Sequence, residues 1–171
     1  MKQLSQVKIK NGSIKKKPGS DINIETFAFE VQTWLDIGGG STLQGFAKIP
    51  EDEQIFLLEY LEDFSLYEMI KVNGKKFILT HIGLPKGATA TNLNGFDAFD
   101  FTADPDTFTD YGKQYFDDIV LVTGHTPTLH IGEEWRGKIY RRNNHIAIDT
   151  GAPFGEAMGS ICLDTGEEFY V

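Results

Sequence analysis

Ile119-Val120-Leu121-Val122-Thr123-Gly124-His125-Thr126-Pro127 is the stretch from which the fold is read. Four of its first five residues are β-branched and polar alternation is absent, which predicts a strand covered on both faces, as in a layered α/β or α+β domain. Gly124 and Pro127 end the run, so His125 lies where the strand leaves the sheet. Phe77-Ile78-Leu79-Thr80-His81-Ile82-Gly83 repeats the arrangement, with an apolar run, a histidine and a glycine. Imidazoles at two strand ends of this kind can converge on a metal or can cap backbone groups of their turns. His130 and His145 lack this setting and read as structural.

Working outward, Asn73-Gly74 joins Met69–Val72 to Lys76–Thr80, a dipeptide suited to a two-residue hairpin turn. Two further hairpins are expected near the carboxyl end, Lys138–Arg141 with His145–Asp149, and Ser160–Leu163 with Glu168–Val171. Pro50-Glu51-Asp52-Glu53 starts a helix, because Pro suits a first turn and three acids favour the positive end of its dipole. That helix should run to Asp63, with Ile55, Phe56, Leu57, Leu58, Tyr60 and Leu61 demanding burial around most of its circumference. Asn23–Val31 alternates loosely and reads as a short strand or lead-in. Trp34 to Leu43 carries Gly38-Gly39-Gly40, which predicts a loop of unusual backbone angles. Between His81 and Ile119 the only expected element is a short helix at Tyr111–Phe116.

The chain has 171 residues, 40% of them hydrophobic, and a formal net charge of −9. Residues 1–17 hold six lysines and no acid, so the other 154 residues carry ten basic groups against 25 acids, a net charge of −15. An acidic body repels phosphate backbones, which argues against nucleic acid as a partner. The basic leader reads as a solvated arm ending at Pro18-Gly19-Ser20. No apolar run is long enough to span a membrane and the start lacks a secretory h-region, so a cytoplasmic chain with no membrane partner is expected. Cys162 is the single cysteine, which excludes an internal disulfide framework and agrees with a reducing compartment.

Several segments, taken in order, carry a resemblance. They are Trp34-Leu35-Asp36-Ile37-Gly38-Gly39 with Thr42-Leu43, Phe56-Leu57 through Leu61, Phe77 to Leu84, Val120 to Thr128 with its Gly124-His125-Thr126-Pro127, Asn144 to Ala152 with Ile148-Asp149-Thr150-Gly151-Ala152, and Ile161 to Val171. The chain resembles the serine/threonine protein phosphatases and their bacterial relatives among the calcineurin-like metallophosphoesterases. The resemblance implies half of a four-layer αββα sandwich, with antiparallel hairpins in the C-terminal third. It further implies a leader at 1–33 foreign to the family and the C-terminal half of a metallophosphoesterase domain at 34–171. By the same resemblance His81 and His125 match the last two metal-ligand histidines of a site that uses Mn, Fe or Zn to hydrolyse phosphomonoesters of phosphoproteins.

The family's earlier elements, Asp-x-His, Gly-Asp-x-x-Asp-Arg and Gly-Asn-His-Glu, do not occur here. Ile37 stands where the family carries Asn, and Asp104 stands near the usual substrate-binding Arg, replacing phosphate attraction by repulsion. Paired cations normally activate the attacking water and clamp the phosphoryl oxygens, and even one zinc needs three or four protein ligands. Asp36 and Asp149 could each add a carboxylate, although Asp149 equally suits a strand end that holds the next turn. The chain is therefore expected to bind metal weakly and to be inactive alone. It is expected to pair with a chain supplying the missing half, or with itself as a homodimer. The other reading is a non-catalytic remnant or protein-interaction module. Two further motifs fail. Phe46 replaces the lysine of a phosphate loop at Gly40–Gly45, and Phe108 and Thr109 spoil a calcium loop at Asp104–Asp110.

Overall fold

The computed structural model describes residues 7–10, 13–16, 19, 21, 23–102 and 110–171. The chain forms two compact units, residues 1–64 and 65–171.

In the first unit, β1 (Val7–Lys10) and β2 (Ser13–Lys16) pair antiparallel, with Lys8 opposite Lys15 and Ile9 opposite Ile14. The stretch that alternates in sequence is a helix, α1 (Ile24–Trp34). Asn23 caps it, its side chain accepting from the Glu25 and Thr26 N–H groups, and this satisfies donors that a helix start otherwise leaves unpaired. Only Phe27 of its apolar residues is buried, while Phe29 is exposed, so the apparent period of two never described a sheet face. The expected boundary at 33/34 falls inside the last turn of α1. The triple glycine is a widened turn, Leu35–Gly39, leading into α2 (Gly40–Phe46). Gly38 takes φ 106°, and a Cβ on Gly39 would run into the Trp34 ring, so both positions favour glycine. The helix expected from Pro50 onward is α3 (Glu51–Glu62). Its burial differs from expectation, since Ile55, Phe56, Leu57 and Tyr60 are exposed.

The second unit is a mixed α+β domain. Its five-stranded sheet has the order β3-β4-β5-β7-β6, formed by β3 (Tyr67–Val72), β4 (Lys75–Thr80), β5 (Ile119–Thr123), β6 (Tyr140–Arg142) and β7 (His145–Ala147). The β4–β5 and β5–β7 pairs are parallel, and the pairs at both edges are antiparallel hairpins. Asn73 and Gly74 turn the first hairpin and Asn143 and Asn144 the second, all at positive φ, as primed turns require. The third hairpin, β8 (Gly159–Ile161) with β9 (Glu168–Tyr170), forms a separate ribbon.

All five residues of β5 are buried, as an apolar central strand demands. Successive side chains point to opposite faces. Ile119 and Leu121 accordingly pack with Ile78, Leu84, Leu93 and Phe101, whereas Val120 and Val122 pack with Phe77, Ile139 and Ile146. Each such side chain contributes about 1.5–3 kcal/mol on burial. The crossover between β4 and β5 covers the first face. Among its described residues the α-helix is α4 (Ala98–Thr102), which buries Phe101, and the expected helix at Tyr111–Phe116 is extended chain and turns. There the Tyr111 carbonyl accepts from Tyr140 and Asn143, and the Phe116 and Asp117 carbonyls accept from Asn144. These side-chain bonds hold the segment without helical turns.

A candidate metal-binding histidine pair

Parallel pairing of β4 with β5 brings their C-terminal ends to one edge, with Leu79 level with Val122. The ladder continues past the strands, because Gly124 N–H donates to the His81 carbonyl at 2.9 Å. That bond sets His81 beside His125. Nδ1 of His125 lies 3.1 Å from Nε2 of His81, and the rings meet edge to face with centroids 4.8 Å apart. One nitrogen donates and the other accepts. His125 holds φ 65°, a left-handed conformation unusual for a residue with a side chain. Backbone strain of this kind persists where the surroundings fix it and is concentrated at functional sites.

His81 has a pKa below its ordinary value. Loss of water at the strand ends is the main cause and the neighbouring His125 the second, with Asp149 pulling the other way. The lowered pKa favours the neutral imidazole, the form that ligates metals. Asp149 reaches this edge because β7 runs parallel to β5 on its far side. Its own bonds are local, with Oδ1 accepting from the Gly151 N–H at 3.0 Å and the carbonyl accepting from Thr128. It holds the turn after its strand.

The two imidazole nitrogens are separated by a distance that suits a hydrogen bond and also two ligands of one ion, which at tetrahedral zinc sit about 3.3 Å apart. Among the described residues, no group of three or more His, Cys, Asp or Glu is arranged to hold a metal ion. The pair supplies two nitrogen donors, with no third ligand grouped beside them among the described residues. Asp36 accepts from Gln32 on the first unit. Asp104 lies outside the described residues. His130 is an exposed residue in the 3₁₀ turn Thr128–His130.

His145 is a core residue, 1% exposed, stacked on Tyr111 at 5.1 Å and flanked by Tyr115 and Tyr140. Its Nε2 meets Thr123 Oγ1 at 2.8 Å and its Nδ1 has no partner. Burial alone lowers its pKa to about 4. Sequence spacing placed His81 and His125 at equivalent strand ends. The approach of Asp149 depends on the β4-β5-β7 order, and the left-handed backbone of His125 had no signal beyond the preceding glycine.

No protein-family model matches the chain, and no curated protein matches it significantly. Among the described residues, no helix is long and apolar enough to cross a membrane.

Proposed function

We propose that the chain is the C-terminal portion of a calcineurin-like metallophosphoesterase of the serine/threonine phosphatase type, inactive by itself. Its second unit would be half of a four-layer αββα sandwich, and it would act in the cytoplasm. The observation that carries the reading is the His81–His125 pair, two imidazoles in contact at the ends of adjacent parallel strands, with His125 held in a strained backbone. Open sheets of this kind present ligands beyond the carboxyl ends of their strands. The pair offers nitrogen donors of the sort that Mn, Fe and Zn accept, and the remaining ligands would come from a chain bearing the missing elements.

Hydrolysis of p-nitrophenyl phosphate and of a phosphopeptide with Mn²⁺ tests the claim of inactivity. Wild type and His125→Ala should show the same background. Metal-dependent turnover that vanishes in His125→Ala would return the isolated chain to the enzyme class. Restoration of turnover by a second polypeptide carrying Gly-Asp-x-His-Gly and Gly-Asn-His-Glu elements is the result expected of an enzyme half. The second reading, a non-catalytic interaction module, is favoured by one observation: no third ligand converges on the histidines among the described residues.

A further inference from the structure

Helix α3 exposes an apolar stripe that the described residues of its own unit leave uncovered. Phe56 is 67% exposed, Tyr60 54% and Phe64 58%, and Tyr60 meets Phe64 edge to face at 5.1 Å. Phe56 and Tyr60, four residues apart, lie on one side of the helix, and Phe64 follows its end. The stripe runs among six acids, Glu51, Asp52, Glu53, Glu59, Glu62 and Asp63, with no basic residue between positions 51 and 64. An exposed apolar surface of this kind marks a contact site. Two α3 helices packed on each other would set six acids against six, so the occupant must be cationic as well as apolar.

The chain itself contains such a segment. Residues 1–17 hold six lysines and no acid, and the β1–β2 register sets Lys8 opposite Lys15 at one position and Ile9 opposite Ile14 at the next. An acidic surface elsewhere on the chain is the electrostatic counterpart of a segment so rich in lysine. The acidic segment around Asp110–Asp118 is a poorer match, because Asp118 is already paired with Lys76 at 2.7 Å. We infer that the chain self-associates, the β1–β2 hairpin of one copy docking on the acidic, aromatic α3 face of a second copy. Reciprocal exchange closes a two-fold dimer with two such contacts. This inference is independent of the phosphoesterase reading.

Sedimentation velocity of the full chain over a concentration series, at low and high salt, tests it. The wild type should dimerise, and high salt should weaken the dimer because exposed charges are screened. The hairpin variant K8E/K10E/K15E and the stripe variant F56S/Y60S should each weaken it by about tenfold or more, a change of roughly 1.4 kcal/mol. Mixing K8E/K10E/K15E with the helix variant E53K/E59K/D63K should restore association. These substitutions alter exposed or charged positions, and circular dichroism should show helix and strand content unchanged. A monomer at every concentration would overturn the inference, as would a dimer that responds to F56S/Y60S and ignores both salt and the lysine reversals. A monomeric chain that cosediments with anionic vesicles through those lysines would overturn it in favour of a lipid surface.

Discussion

β5 and α3 carry the same kind of signal in sequence, a cluster of large apolar residues, and the structure treats them oppositely. In β5 every residue is buried between two packed faces, whereas α3 leaves Ile55, Phe56, Leu57 and Tyr60 in contact with solvent. Apolar content states how much surface needs covering; it does not say what covers it. For β5 the cover is supplied locally, by the crossover on one face and by Ile139, Ile146 and the residues around them on the other. For α3, the described residues of 1–64 leave those side chains exposed. Its acids keep such a face hydrated.

The largest effect expected from this contrast is on stability. Leu121→Ala removes a fully buried side chain from the centre of the sheet and should cost about 2–5 kcal/mol in urea unfolding. Phe56→Ala in α3 should stay within about 0.5 kcal/mol of wild type under monomeric conditions. Equal losses would break the comparison by showing that α3 is core.

The next effect sharpens the account of the sheet. His145 titrates near 4 when folded, against an ordinary 6.5. The unfolded chain therefore binds its proton first on acidification. The stability this burial confers is complete above about pH 6.5 and is lost as pH falls toward 4, amounting to about 3 kcal/mol at 1.36 kcal/mol per unit. Urea midpoints across that window should fall in wild type and fall less in His145→Phe. Identical slopes would mean that water reaches the ring. The smallest effect lies at the surface. Lys76→Ala breaks an exposed ion pair with Asp118 and should cost no more than about 0.5 kcal/mol. A loss above that would show Asp118 less solvated than its exposure indicates.

The features legible in the sequence are those set by short-range chemistry. Asn73-Gly74 and the Asn143-Asn144 turn fix their hairpins because those residues tolerate positive φ. The unbroken apolar run of 119–122 fixes a central strand, and Pro50 with its acids fixes the start of α3. Asn23–Val31 misled because nine residues with apolar positions at 24, 27, 29 and 31 satisfy both a strand and a helix, and the decision rests on the Asn23 cap. The Tyr111–Phe116 segment misled because its order comes from distant donors, Tyr140, Asn143 and Asn144. At the candidate site, the equivalent addresses of His81 and His125 were legible, but their contact was not. Contact requires β4 and β5 to pair in parallel across the crossover of residues 81–118, a long-range choice that no local pattern encodes.

Titration calorimetry of the full chain with Mn²⁺ and with Zn²⁺ tests the central claim, that the histidine pair is one edge of a divalent-metal centre completed elsewhere. Weak binding of at most one ion per chain, abolished by His81→Ala and by His125→Ala, is the expected result. Two tight stoichiometric ions per chain, or binding that survives both substitutions, would contradict it.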